Sequence, residues 1–210
     1  MREKYQEIIK KRIKSFPDTY VFTTSDFLDI GDIDPVNKAL SRLCEDKLIR
    51  RIIKGVYDKP AYSSLIGEYS EPNIENVAAA LSRKFNWTIA PTGETALNYL
   101  HLTTQISNKW CYISDGPYRQ YEVGPYTIEF KHCANRETSG RSRITIVVIQ
   151  AIKTIGKSNI TKKNLDKLAN ILSEKDKKII MEEARTSTAW VYKLIREVCK
   201  NETSGVIEQK

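Results

Sequence analysis

The side chains with the most chemical potential in this sequence are cations and amides, and they concentrate in two short stretches. Asn37, Lys38, Ser41 and Arg42 recur on one side of a helical segment whose other side is the apolar stripe Val36, Ala39, Leu40, Leu43 and Cys44. Asparagine pairs with adenine edges, arginine bridges O6 and N7 of guanine, and serine and lysine suit phosphate or mixed contacts. A few residues on, Arg50, Arg51 and Lys54 sit in two β-prone runs joined at Lys54-Gly55, where they can meet a DNA backbone or minor groove. The competing reading is that these are the solvated faces of an ordinary helix and hairpin.

Residues for enzymatic chemistry are sparse. There is no Gly-rich phosphate loop, no H-E-x-x-H and no G-x-S-x-G elbow, and neither His101 nor His132 sits in a local context that suggests a triad. One acidic pattern stands out. Asp115, followed by Glu129-Phe130-Lys131, has the composition of a metal-dependent nuclease, in which two carboxylates hold Mg²⁺ and a lysine steadies the attacking water. Asp115-Gly116-Pro117 is also a common turn, and a Glu-x-Lys pair is ordinary on a strand. The cysteines Cys44, Cys111, Cys133 and Cys199 lie far apart, without zinc-site spacing, and read as reduced thiols. No metal and no cofactor are expected, and the chain is not read as an enzyme.

The elements that must position these groups are legible in order. Tyr5, Ile8, Ile9, Ile13 and Phe16 form the inner face of a first helix, ended by Pro17; a β-prone run over 19–23 precedes a two-turn helix capped by Thr24 and closed at Gly31. Asp34-Pro35 reads as cap and first position of a third helix. Helix, short helix, helix and hairpin is the order of a winged helix-turn-helix, which offers its third helix to the major groove. A connector over 60–72 places the boundary near residue 60. Beyond it, helical spacing at Ile74–Phe85, a capping Thr92, period-two runs at 109–114 and 126–131, and a turn at Gly124-Pro125 predict helices around a small antiparallel sheet. Ile144–Ile155 is strongly β-branched but holds helical spacing to Gly156, and three more helices begin at Thr161, Ser173 and Ser187.

The fold class is therefore α+β: a winged helix over 1–60, a mixed domain over 61–200 ending in helices, and a flexible tail over 201–210. The net charge of +8 is uneven, with +3 over 1–60, −3 over 61–130 and +8 over 131–210. That last block includes the polar loop 134–143, where Arg141 and Arg143 are candidates for holding an acidic partner. No stretch approaches 18 apolar residues and no h-region follows the N-terminus, so a cytoplasmic protein without membrane contact is expected.

Several segments in order, Val21-Phe22-Thr23-Thr24-Ser25-Asp26-Phe27, Ala39–Leu43, Ile49–Ile52, Gly55-Val56-Tyr57, Ala90-Pro91-Thr92-Gly93, Leu102–Gln105, Tyr112–Gly116 and Val148–Ile152, resemble the AbiEi-type antitoxin and regulator group. The resemblance implies a winged helix that represses its own operon on double-stranded operator DNA. It also implies a C-terminal domain that counters a nucleotidyltransferase toxin, directly or indirectly, in a type IV toxin–antitoxin or abortive-infection system. It places Thr24, Ser25, Arg42, Arg50 and Arg51 in the DNA-binding part. The alternatives are a stand-alone winged-helix regulator whose C-terminal domain senses a ligand, and the nuclease.

Overall fold

The computed structural model describes residues 2–65, 67–105 and 107–200, apart from the side chains of 2–4, 135 and 136. The tail expected over 201–210 lies outside the described residues. The architecture is mixed α+β, in two compact units: one of residues up to Trp87 with Glu122–Tyr126, the other of Thr88–Tyr121 and the chain from Thr127.

In the first unit, α1 (Arg2–Ser15) buries Ile9 and Ile13 against α2 (Ile33–Glu45), which turns Val36, Ala39, Leu40 and Leu43 inward. Between them run β1 (Val21–Thr23) and a single 3-10 turn, Thr24–Phe27. The two-turn helix expected to Gly31 is thus one turn, and Thr23 caps it instead of Thr24. The Thr23 amide and hydroxyl both donate to the Asp26 carboxylate, at 2.7 and 3.2 Å, and this closes the turn early. Helix α2 starts before the expected Asp34, with Asp32 at the cap position. Pro35 falls in the first turn, where no backbone donor is required. Strands β2 (Arg50–Ile53) and β3 (Val56–Asp58) meet at Gly55, whose φ of +75° suits glycine, and β3 pairs antiparallel with both β1 and β2. Phe22 and Phe27, both fully buried, pack edge to face across the core.

The unit does not end near residue 60. The connector folds into a small hairpin of β4 (Tyr62–Ser63) and β5 (Glu68–Tyr69), and α3 (Ile74–Phe85) packs on β1 and β3. Asn73 caps α3 through the Asn76 amide, Asn76 Nδ2 donates to the Thr19 carbonyl, and Arg83 Nη2 donates to the Val21 carbonyl at 2.9 Å. These bonds to the backbone entering and starting β1 make α3 part of the first core, which moves the boundary to Trp87.

Beyond Trp87 come β6 (Ile89–Pro91), α4 (Gly93–Tyr99), β7 (Lys109–Ser114), β8 (Arg119–Val123) and β9 (Tyr126–His132); the strands form a sheet of order β6-β7-β9-β8, and only the β8–β9 connection with its flanking residues, Glu122–Tyr126, is counted with the first unit. The sheet is mixed, not antiparallel throughout. Because β8 takes the edge, β7 meets β9 in parallel, Tyr112 beside Phe130. The stretch expected as a loop holds one helical turn, α5 (Asn135–Thr138). Helix α6 (Arg143–Ile155) buries every residue from Thr145 to Ile152, which is why its sequence is apolar on all sides. It packs on α4, α8 (Glu174–Glu183) and α9 (Ala189–Lys200), and α7 (Lys162–Ile171) packs on α9 in the same core. Thr161 and Ser173 cap α7 and α8 as expected, and α9 begins past Ser187. Among the described residues no helix is long and apolar enough to cross a membrane.

Candidate nucleic-acid interface

The 3-10 turn, α2, the β2–β3 hairpin and the end of α3 enclose an open groove of about 790 Å³. Helical geometry supplies one wall: Ile33, Asn37, Ser41 and Glu45 follow one another at four-residue spacing along α2. Thr24 and Ser25 contribute from the turn, and Arg51, Lys54, Gly55 and Tyr57 from the hairpin. Six of the residues singled out from sequence therefore share one surface: Thr24, Ser25, Asn37, Ser41, Arg51 and Lys54.

The Thr24 hydroxyl donates to Asn37 Oδ1 at 2.8 Å. That bond fixes the amide while leaving its second lone pair and both N–H groups available to an incoming edge. Cationic character comes from Arg51, Lys54 and Lys84, against the single carboxylate of Glu45. Burial pushes the Cys44 thiol and the Tyr57 phenol up, so both stay neutral near pH 7. Lys84 reaches the groove because α3 belongs to the first unit, whereas the sequence places this helix in the second domain. Its ammonium lies 3.2 Å from where a Cβ on Gly55 would stand, above the hairpin turn, and 5.4 Å from the Phe85 ring centroid. The only sequence signal was a basic pair, Arg83-Lys84, ending an amphipathic helix.

The remaining candidates are elsewhere. Lys38 and Arg42 lie on the neighbouring exposed face of α2, where Arg42 Nη1 reaches Gln6 Oε1 at 3.5 Å. Arg50 faces the other way from Arg51: its Nε and Nη2 donate to both oxygens of Asp58, at 3.1 and 2.6 Å, and Asp58 is 1 % exposed. The Arg50 fork is held by that buried carboxylate, a structural ion pair.

In the second unit, Arg141 donates to Thr186 Oγ1 at 2.7 Å and to the Glu137 carbonyl at 3.3 Å, while the Arg143 guanidinium lies 5.3 Å from the centre of the Tyr99 ring. Both tie their segment to neighbouring helices, which a solvated loop would not do. The nuclease pattern is not assembled. Glu129 is in register with Cys111, four residues before Asp115, a separation of about 13 Å along a strand. Asp115 instead accepts the Thr88 amide at 2.9 Å. Glu129, 5 % exposed, accepts from Tyr118 at 2.6 Å, Lys109 at 3.0 Å and Cys111 at 3.3 Å, with Lys131 at 3.5 Å. Burial pushes its carboxyl up, but those bonds and the Lys131 charge outweigh burial and bring it down to about 2. His132 Nδ1 is engaged by the Gly116 carbonyl at 2.9 Å. Among the described residues no three His, Cys, Asp or Glu side chains gather closely enough to hold a metal ion.

Comparison with curated proteins finds no match. The family described as a family of unknown function, DUF6088, matches residues 8–180, a span that includes every groove residue and most of the second unit, and the chain belongs to that family.

Proposed function

We propose that this protein is a sequence-specific regulator of transcription that binds double-stranded DNA through an N-terminal winged helix-turn-helix. The observation that carries the reading is the groove itself: six candidate polar residues and Lys84 converge on one surface between a helix and a basic hairpin. In such a complex α2 enters the major groove, the hairpin reaches the adjoining minor groove, and the intervening sugar–phosphate strand runs along the groove between them. Asn37, oriented by Thr24, and Ser41 face base edges; Arg51, Lys54 and Lys84 meet phosphates, with Thr24 and Ser25 beside them. Lys38 and Arg42 extend the contact along the exposed side of α2.

The regulated gene is the protein's own operon, and the second unit acts as antitoxin to a nucleotidyltransferase toxin in the cytoplasm. This half rests on the likeness in motif order to AbiEi-type regulators. Fluorescence anisotropy with a duplex spanning the protein's own promoter, against a scrambled duplex of equal length, tests the DNA reading. Tighter binding of the promoter duplex by at least tenfold is expected, and equal affinity for both overturns it. Co-expression with an adjacent nucleotidyltransferase gene tests the antitoxin half by growth.

A further inference from the structure

The β4–β5 hairpin leaves an apolar surface uncovered. Leu65 at its turn is 96 % exposed, and Tyr62 and Tyr69, paired across the strands with ring centroids 5.2 Å apart, are 60 % and 57 % exposed. Two short strands alone bury too little surface to be stable in water, so a partner that covers them contributes to their order. The segment itself is acidic: Glu68 and Glu71 flank the apolar residues, and no Lys or Arg occurs between Pro60 and Ser82, while Glu71 also lines a hollow with Arg50 and Arg51.

The same unit carries a surface of complementary character. Ile13, Leu43, Leu48 and Ile49 floor a hollow of about 100 Å³, and Lys10, Lys14 and Lys59 rim it. Lys59 is paired with Asp18 at 2.9 Å, whereas Lys10 and Lys14 make no ion pair among the described residues. An apolar floor inside a cationic rim suits an aliphatic side chain flanked by carboxylates and is a poor match for a bare phosphate backbone. Leu65 with Glu68 and Glu71 has that composition.

We propose that Leu65 of one copy of this chain seats in the hollow of a second copy, with Glu68 and Glu71 facing Lys10 and Lys14. Lys59 precedes Leu65 by six residues, so knob and hollow emerge within about 20 Å of chain from each other. That adjacency lets two copies exchange the contact reciprocally about a two-fold axis.

Sedimentation equilibrium of the full chain without DNA tests this independently of the DNA reading. With rising concentration the weight-average mass is expected to climb from 24.1 kDa towards twice that value. Leu65→Asp, at a position too exposed to unfold the protein, holds the mass at the monomer. Lys14→Glu and Glu68→Lys each raise the dissociation constant roughly tenfold, and the two reversals together restore it. A wild-type mass that stays at the monomer, or a dimer unaffected by Leu65→Asp, overturns the proposal.

Discussion

Strand alternation sends Arg50 and Arg51 to opposite faces of β2, so one guanidinium neutralises the buried Asp58 carboxylate and the other lines the groove. Their alanine variants should therefore differ in kind. Arg50→Ala strands a buried carboxylate and should lower stability by about 1–3 kcal/mol in urea unfolding, whereas Arg51→Ala should leave the unfolding midpoint within about 0.5 kcal/mol of wild type. Equal destabilisation would contradict the assignment. Glu129 has a separate signature. Its folded carboxyl titrates near 2, below the ordinary 4.5, so its stabilisation is complete above about pH 4.5 and is lost as pH falls towards 2. Glu129→Gln should cost on the order of 1–3 kcal/mol at pH 7 and should flatten stability between those pH values; an unchanged pH profile would refute it. Residue types were legible in the sequence, but their partners were not. Nothing in the string Arg50-Arg51 says which arginine meets Asp58, because that depends on the register between β2 and β3.

At the scale of elements, local chemistry was readable wherever a single element decided it. Helical spacing found α1, α2, α3 and α6, Thr161 and Ser173 marked their helices, and Lys54-Gly55 marked the hairpin turn. Expectations failed where pairing between distant segments decided. Alternation identified β7 and β9 as strands but carries no information on direction, so their parallel pairing was hidden. The tight 3-10 turn was missed because Asp26 folds back on Thr23, a contact that only the bent chain makes. Gly55 offers a test of the hairpin's part in binding. At φ +75° an alanine is strained, and its Cβ would crowd the Lys84 ammonium. Gly55→Ala should lower stability by about 1–2 kcal/mol and weaken DNA binding; a variant with wild-type affinity would show that the hairpin turn plays no part in the interface.

For the whole molecule, the instructive difference is the boundary. A Ser-, Tyr- and Pro-containing stretch at 60–72 has the composition of a linker, yet α3 beyond it completes the first core and brings Lys84 to the groove. A fragment of residues 1–60 should accordingly unfold without a cooperative transition, and a fragment of 1–87 should melt cooperatively by circular dichroism; the reverse order would restore the shorter domain. The central claim is that the groove binds DNA with Asn37 at base edges and Arg51 on phosphate. Its most direct test is the affinity of wild type, Asn37→Ala and Arg51→Ala for the promoter duplex and a scrambled duplex over a salt series. The account predicts that Asn37→Ala loses about 1–3 kcal/mol on the promoter duplex alone with an unchanged salt slope, while Arg51→Ala weakens both duplexes alike and lowers the slope by about one unit. Wild-type affinities and slopes in both variants, with the protein folded, would contradict it.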